Sequence, residues 1–269
     1  MSAAGAWLAA SGPGGGGAAE WAQYQKQMEA LLAFWARPPR RDLRTGLATW
    51  HDQMESGADN GVLSRCPSPR SACWRESAAY SLASADVITL LQREHTAMAR
   101  FAEAWAREAR DGEEEEASEE EEETSVVKGR KEEASEEDGR EEQASRRHSA
   151  AASNSSDGAA FGAALARQYE AAALRHRLAA RSLRETLNAW LWRSDLGFHV
   201  ALNLSTSAPI LSRTYAMAYP LWARLVNRSQ AAAIARNLAS SDMLSSVGLR
   251  SAGSSDPRYS NADTIVPYS

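Results

Sequence analysis

The feature that most constrains the fold is an acidic, low-complexity tract that divides the chain. Residues 111–147 contain 17 acidic and 6 basic residues, and residues 111–158 contain no Phe, Tyr or Trp. Such a segment cannot bury enough apolar surface to offset the conformational entropy lost on ordering, so we predict that residues 111–158 are disordered. We predict the same for the Gly/Ala-rich start, residues 1–18. The folded part is then expected to comprise residues 19–110 and 159–269.

Hydrophobic periodicity predicts that these two parts are helical. Apolar residues recur every three or four positions from Glu20 to Trp35, and Pro38 and Pro39 end that pattern. Further helices are predicted at about 84–110, 159–192 (as one bent helix or two, ended by Gly197), 215–226 and 229–239. The alternating stretch F-H-V-A-L-N-L-S-T predicts a short strand or hairpin arm. The sequence therefore indicates an all-α protein with little β structure.

One acid interrupts the apolar stripe of the second predicted helix. Glu94 lies in register with Val87, Leu91 and Met98, which places it on the face that should be buried. It is either a carboxylate aimed into a functional interior or an edge residue that reaches solvent or pairs with a nearby Arg. The second interpretation is the more common one.

The stretch with the most specific chemistry is Trp50–Asn60, which reads W-H-D-Q-M-E-S-G-A-D-N. Its turn-forming Ser, Gly and Asn residues predict a loop. The loop presents three carboxylates, Asp52, Glu55 and Asp59, beside an aromatic ring. These groups match what sugar hydrolysis needs, namely a proton donor, acceptors for hydroxyl groups and an apolar plane. On composition alone, a solvated acidic connection is the commoner interpretation.

The stretch E-S-G-A-D-N resembles the Glu-Ser-Gly-x-Asp motif of inverting α-glycosidases, a clan that includes trehalases and glycoside hydrolase family 63. The longer W-H-D-Q-M-E-S-G-A-D-N is most similar to the mannosylglycerate hydrolase-like branch of that family. The resemblance implies that Asp59 is the general acid, and it assigns no role to Asp52. It also implies a sugar subsite lined by Trp50, His51, Gln53, Glu55 and Asn60.

Other segments carry the same resemblance, including L-N-A-W-L-W-R-S-D-L-G-F-H-V-A-L-N-L-S-T and Y-P-L-W-A-R-L-V. It implies an (α/α)6 toroid, which we expect to be incomplete because the sequence predicts only five or six helices. The catalytic base of such enzymes is a Glu farther along the chain, and no Glu follows Glu185. We therefore expect a partial chain, without the base and inactive by itself. The implied substrate is a small α-glycoside, such as mannosylglycerate or glucosylglycerate, with neither metal nor organic cofactor.

Other functional classes remain open on the sequence. The chain could be a decayed or fragmentary sugar-binding protein, or an interaction protein that uses its acidic tract for partners that the sequence does not identify. A purely helical scaffold is a further alternative. Nucleic acid and membrane are not expected as partners, because the sequence has neither a basic cluster with interleaved aromatics nor an apolar run of spanning length. Without a secretory signal pattern, and with two cysteines (Cys66 and Cys73) that fit free thiols in a reducing compartment, a cytoplasmic location is expected, and an organellar location stays open as the alternative.

We predict that the acidic tract is dispensable. Deletion of residues 111–157 should leave the flanking helices intact, because a short linker would join them equally well. Circular dichroism of the deletion variant measures this outcome, and a large loss of helicity would mean that the tract is structural.

Overall fold

The computed structural model describes residues 17–50, 82–133 and 141–256, with side chains at 23–50, 82–111, 160 and 162–256. The described chain is mostly helical. Its α-helices are α1 (Gly17–Trp35), α2 (Ala85–Glu133), α3 (Glu141–Leu191), α4 (Ala218–Trp222) and α5 (Arg228–Leu238), and a 3-10 helix spans Tyr215–Met217. The described residues also form seven short strands, β1 (Leu82–Ala83), β2 (Trp192–Arg193), β3 (Phe198–His199), β4 (Ala201–Asn203), β5 (Ala208–Ile210), β6 (Leu244–Ser245) and β7 (Gly248–Leu249).

The predicted helices are present, and their starts and stops follow local signals. Helix α1 ends at Trp35, shortly before Pro38, and α2 begins one residue after Ser84. Helix α5 begins after Asn227, whose side chain accepts from the backbone N–H of Gln230, while the Gln230 side chain accepts from the Asn227 N–H. This reciprocal capping box satisfies two otherwise unpaired donors at the helix start.

Helices α2 and α3 are longer than predicted. Helix α2 continues to Glu133, and α3 begins at Glu141 as one continuous helix, so helical backbone occupies most of the tract that we predicted to be disordered. Our prediction considered only how little apolar surface the tract could bury. Glu, Ala, Lys and Arg also have high intrinsic helix propensity, which favours helix independently of burial. Since the deletion would remove helical residues, thermal stability, rather than total helicity, measures whether the tract is needed. Its dispensability stays a prediction.

Two units are distinguished by their internal contacts, residues 1–96 with 178–269 and residues 97–177. The first has its main core where the start of α2 packs with the end of α3 and with β1 and β4. Branched side chains dominate this core, which comprises Leu47, Ala48, Ala83, Ala85, Val87, Ile88, Leu183, Leu187, Leu191, Leu202 and Leu225. The rings of Trp35 and Trp50 pack against it. The burial of these apolar side chains is the main force that holds the unit together.

The predicted hairpin arm is part of a small antiparallel sheet. Strand β1 pairs with β4, with Ala83 opposite Leu202, and β4 pairs with β5. On its other side, Ala83 forms an antiparallel bridge with Thr49. This sheet therefore attaches the residues just before Trp50 to the start of α2.

A second core cluster of this unit lies around α5. It consists of Phe198, Val200, Met217, Ile234 and Met243. Gly197, which we predicted to end the long helix, instead lies in the turn between β2 and β3, because the helix ends earlier, at Leu191. Its φ of +74° suits glycine, and a Cβ there would lie 3.1 Å from the Cβ of Ala233.

The second unit contains an antiparallel pair of helical segments from α2 and α3. Ala102, Ala172 and Ala173 form its buried contact, and their small side chains allow the two segments to approach closely. Ion pairs of Glu103 with Arg177 and of Arg110 with Glu170 run along the same pair and are largely exposed. Exposed pairs of this kind stabilise a fold only weakly.

The helical content agrees with the predicted class, although the described chain has more strands than the single arm that we expected. The incomplete (α/α)6 toroid stays a prediction. Within the described ranges, none of the helices combines the length and apolarity required to cross a bilayer.

His199 is a buried titratable group in the first unit. Its side chain is 4% exposed, and its Nε2 lies 3.3 Å from the Oδ1 of Asn188, which also accepts from the Gln230 side chain. An amide oxygen cannot donate, so the neutral tautomer with a proton on Nε2 fits this contact. Burial lowers the pKa of His199 to about 4.

We predict that acid destabilises the protein through His199. The unfolded state binds a proton at about pH 6.5, whereas the folded state does so only near pH 4, so stability should fall as the pH drops through this window. A shift of this size corresponds to roughly 3 kcal/mol. His199→Gln keeps a donor toward Asn188 and removes the titration, so its unfolding free energy should vary less between pH 7 and pH 4. Parallel pH profiles for the two proteins would contradict this assignment.

Candidate functional site

The described residues include the beginning of the predicted sugar-site motif. Trp50 is described and half-buried. The other predicted site residues lie outside the described residues, namely His51, Asp52, Gln53, Glu55, Asp59 and Asn60. The same holds for Cys66 and Cys73. Their predicted roles therefore stay predictions, and the site is built from Trp50 outward.

A short hairpin immediately before Trp50 fixes the position of this residue. Asp42 accepts from both the backbone N–H and the hydroxyl of Thr45, at 2.8 and 2.6 Å, which closes the turn. Arg41 and Ala48 form a bridge across it, and the Thr49 N–H donates to the Arg40 carbonyl at 2.9 Å. Since Thr49 is also bridged to β1, the backbone is fixed on both sides immediately before Trp50.

Two contacts orient the indole ring of Trp50. Trp35, the last residue of α1, packs against it in an edge-to-face arrangement with centroids 5.4 Å apart. Its Nε1–H donates to the Oδ2 of Asp86 at 3.3 Å. The ring is therefore held by one apolar and one polar partner before any ligand arrives.

Asp86 lies in the first turn of α2 and is 7% exposed. Its Oδ1 accepts from the Ser84 hydroxyl and from the Val87 N–H, the latter at 2.8 Å. Its Oδ2 accepts from Trp50. A carboxylate is favourable at a helix N-terminus because unpaired N–H groups and the helix dipole face it. Asp86 thus joins the start of α2 to the start of the motif.

Three aromatic rings continue from Asp86 as a ladder, which we define as Tyr215, Tyr219 and Trp222. Burial raises the pKa of Tyr215 to about 12, with further contributions from the charges of Asp86 and Tyr219, so its hydroxyl stays protonated. The centroids are 6.0 Å apart between Tyr215 and Tyr219, and 6.1 Å apart between Tyr219 and Trp222. Spacings of four and three residues place the rings on one side of the helical segment.

The far end of the ladder meets the side chain of Arg93. Its guanidinium carbon lies 3.7 Å from the ring centroid of Trp222. Asp86 and Arg93 are seven residues apart on α2, which corresponds to about 10 Å along the helix axis. The ladder therefore follows the first two turns of α2 from Asp86 to Arg93.

Glu94, the acid on the apolar stripe, is half-buried beside this region. Burial raises its pKa, and the charge of Arg93 acts in the opposite direction. Tyr24 of α1 is close enough for Glu94 to raise its pKa, after the larger effect of burial. Glu94 is thus neither fully exposed nor fully buried, and the charge of Arg93 favours its ionised form.

Sequence reasoning missed Asp86, Arg93 and the ladder. A signal for the ladder was available, because T-Y-A-M-A-Y-P-L-W places aromatics at helical spacing. Nothing local connects them to Trp50, since the contact through Asp86 depends on the fold. Chemically, the arrangement offers apolar ring planes, a buried carboxylate and a cation. Among the described residues, no cluster of His, Cys, Asp and Glu is arranged to hold a metal.

The sequence was compared with known proteins. A family model described as "Mannosylglycerate hydrolase MGH1-like glycoside hydrolase domain" matches residues 2–264. This match covers the motif Trp50–Asn60 and the aromatic ladder. No curated protein matches the chain at a significant level.

We predict that Asp86 fixes Trp50. Asp86→Ala would leave the Trp50 N–H and the Ser84 hydroxyl without their acceptor, at a cost of about 1–3 kcal/mol in unfolding free energy. Asp86→Asn keeps an acceptor oxygen and should cost less, but it removes the charge near Tyr215 and should lower that pKa. Denaturant unfolding and absorbance titration of tyrosinate, with Tyr215→Phe as the reference, measure the two effects.

The control is Asp195→Asn, which removes an exposed carboxylate paired with Arg193. It should change stability by no more than about 1 kcal/mol. Equal effects of Asp195→Asn and Asp86→Ala would argue against an anchoring role for Asp86.

Proposed function

We propose, from the premise that the chain belongs to the mannosylglycerate hydrolase MGH1-like glycoside hydrolase family, that it hydrolyses the α-glycosidic bond of a small glycoside with inversion. The family match over residues 2–264 carries this proposal, because it covers nearly the whole chain and includes the motif Trp50–Asn60. Membership in a glycoside hydrolase family implies a carbohydrate substrate. We propose a glycoside of the mannosylglycerate or glucosylglycerate type, a cytoplasmic location and an incomplete (α/α)6 toroid.

In the proposed reaction, Asp59 is the general acid. It transfers its proton to the glycosidic oxygen as the bond to the anomeric carbon breaks, and a water attacks the opposite face of the sugar while a base carboxylate takes its proton. An inverting site of this kind needs its two carboxyl groups about 6.5–9.5 Å apart, so that the water fits. Glu55, four residues before Asp59, would help to keep the acid protonated by charge repulsion. We assign no residue of this chain as the base.

The sugar would bind against Trp50, with hydroxyl groups hydrogen-bonded by His51, Gln53, Glu55 and Asn60. The fixed orientation of Trp50 supports this role. Its ring is already held by Trp35 and Asp86, so stacking a sugar on it requires little further ordering. Preorganised rings of this kind bind with a smaller entropy cost than mobile ones.

We predict that Asp59→Asn lowers kcat by about 10²–10⁴-fold, the usual contribution of general acid catalysis. The measurement uses the protein that contains these 269 residues, with mannosylglycerate and glucosylglycerate as substrates. Substrate binding should be largely kept, because Asn preserves size and shape. A glycosyl fluoride, whose leaving group needs no protonation, should lose much less rate.

Asp52→Asn is the matched control, since it removes a carboxylate from the same loop and should cost far less. Nuclear magnetic resonance of the first-formed sugar anomer reports whether hydrolysis inverts. Near wild-type kcat for Asp59→Asn would refute the assignment of the acid. Binding without turnover in the wild type would instead favour a non-catalytic sugar-binding protein.

A further inference from the structure

A group of arginines precedes the motif Trp50–Asn60 and has no role in the proposed reaction. The stretch R-P-P-R-R-D-L-R, residues 37–44, contains four arginines and one acid, which leaves a net charge of +3. The acid, Asp42, is already used within the turn, because its carboxylate accepts two hydrogen bonds from Thr45. We call the four arginines the arginine surface, namely Arg37, Arg40, Arg41 and Arg44.

The arginine surface borders a cavity of about 340 Å³ at the end of α1. Arg37 and Arg40 line this cavity together with Phe34 and two prolines. The Arg40 guanidinium lies over the Phe34 ring, 4.2 Å from its centroid, and the Phe34 side chain is 51% exposed. Arg44, in the turn that follows, donates to the Leu204 carbonyl at 2.9 Å. Positive charge is thus held in place beside an accessible apolar hollow.

The arginines of α3 show the contrast with this surface. They are engaged within the chain, through the ion pairs Arg177–Glu103 and Arg181–Glu185 and the hydrogen bond from Arg184 to the Leu225 carbonyl. Arg37 is exposed and has no acid as a partner among the residues that the structure describes. The arginine surface therefore has charge to offer to a partner.

The chain carries a segment of the opposite charge. Glu113–Glu123, on α2, contains nine glutamates in eleven residues. It lies within the acidic tract, where 17 acidic and 6 basic residues leave a net charge of −11 over residues 111–147. Arginine pairs with carboxylates in a bidentate geometry, and complementary charge of this kind speeds association and selects the partner. The tract that the proposed reaction does not use thus matches the arginine surface.

The geometry of α2 favours a second copy as the source of these glutamates. Arg40 lies over the ring of Trp35, 4.7 Å from its centroid, and Trp35 packs on Trp50. Trp50 in turn donates to Asp86 in the first turn of α2. Along α2, 27 residues separate Asp86 from Glu113, which corresponds to about 40 Å of helix. A chain would have to break this helix to use its own glutamates, whereas a second copy meets no such constraint.

We propose that the arginine surface of one copy binds the segment Glu113–Glu123 of a second copy, and that the two copies bind reciprocally as a dimer. Each chain carries both partners of the contact, so a twofold arrangement makes the same contact twice. This inference does not depend on the glycosidase assignment. It gives the acidic tract a role in assembly.

The test measures self-association of the full chain by analytical ultracentrifugation at increasing protein concentration. The wild type should form a dimer at low ionic strength. The dimer should dissociate as salt is added, because the Debye length falls from about 30 Å at 0.01 M to about 3 Å at 1 M ionic strength. A synthetic peptide of residues 111–124 should also dissociate the wild-type dimer by occupying the arginine surface.

Charge reversal locates the contact. Arg37→Glu combined with Arg44→Glu should weaken dimerisation by at least about 10-fold, because like charges then face each other. The matched control is Arg228→Glu combined with Arg236→Glu, which makes the same change in net charge at exposed positions on α5 and should leave the dimer intact.

A charge swap then tests whether the two surfaces contact each other directly. A second variant, in which all five residues of Glu119–Glu123 are replaced by lysine, should also fail to dimerise alone. Mixed with the Arg37→Glu, Arg44→Glu variant, it should form a heterodimer, because each arginine or glutamate surface then meets the opposite charge on the other chain. Recovery in the mixture also shows that both variants fold.

Several outcomes would overturn the proposal. These are a wild type that stays monomeric at low salt, a dimer that persists unchanged at high salt, and a dimer that survives reversal of Arg37 and Arg44. A mixture of the swapped variants that stays monomeric while both give helical circular dichroism spectra would do the same. Expansion of the arginine-reversed chain at every concentration would show that each chain binds its own tract, which also contradicts a dimer.

Discussion

The buried carboxylate of Asp86 is the interaction on which the candidate site depends. A buried charge is tolerated only when hydrogen bonds replace the water that it has lost. Asp86 meets that requirement with the Ser84 hydroxyl, the Val87 N–H and the Trp50 indole. One side chain therefore caps a helix and anchors an aromatic ring from a segment 36 residues away. The position of Trp50 is set by the same contacts that start α2.

The two units differ in how they pack their helices. The first buries branched side chains such as Leu187 and Ile88, and it supports the hairpin and the sheet that hold Trp50. The second buries alanines, which contribute less apolar area for each contact. A ligand site needs rigid support for its side chains. The described aromatic and charged groups of the candidate site accordingly lie in the unit with the larger core.

Local sequence signals were enough to find the helices of the described chain and most of their starts. Prolines after α1, Ser84 before α2 and the Asn227 cap before α5 act within one turn, so they can be read directly. The end of α2 and the start of α3 lie beyond their predicted bounds, in the glutamate-rich tract, whose residues have high helix propensity. Disorder of this tract stays a prediction. The site shows the same division. Trp50 was selected through its neighbours in the motif, and its role as a sugar-binding residue stays a prediction. Asp86, Tyr215 and Arg93 come together only through tertiary structure.

Proton transfer and recognition of the aglycone place different demands on a glycosidase site. Proton transfer requires an acid and its immediate neighbours, and these can be kept together within one loop. Recognition of the aglycone has no such constraint, because any fixed side chain at the right distance from the sugar can supply it. In this chain, about two turns of α2 separate Asp86, which contacts Trp50, from Arg93, which packs on Trp222.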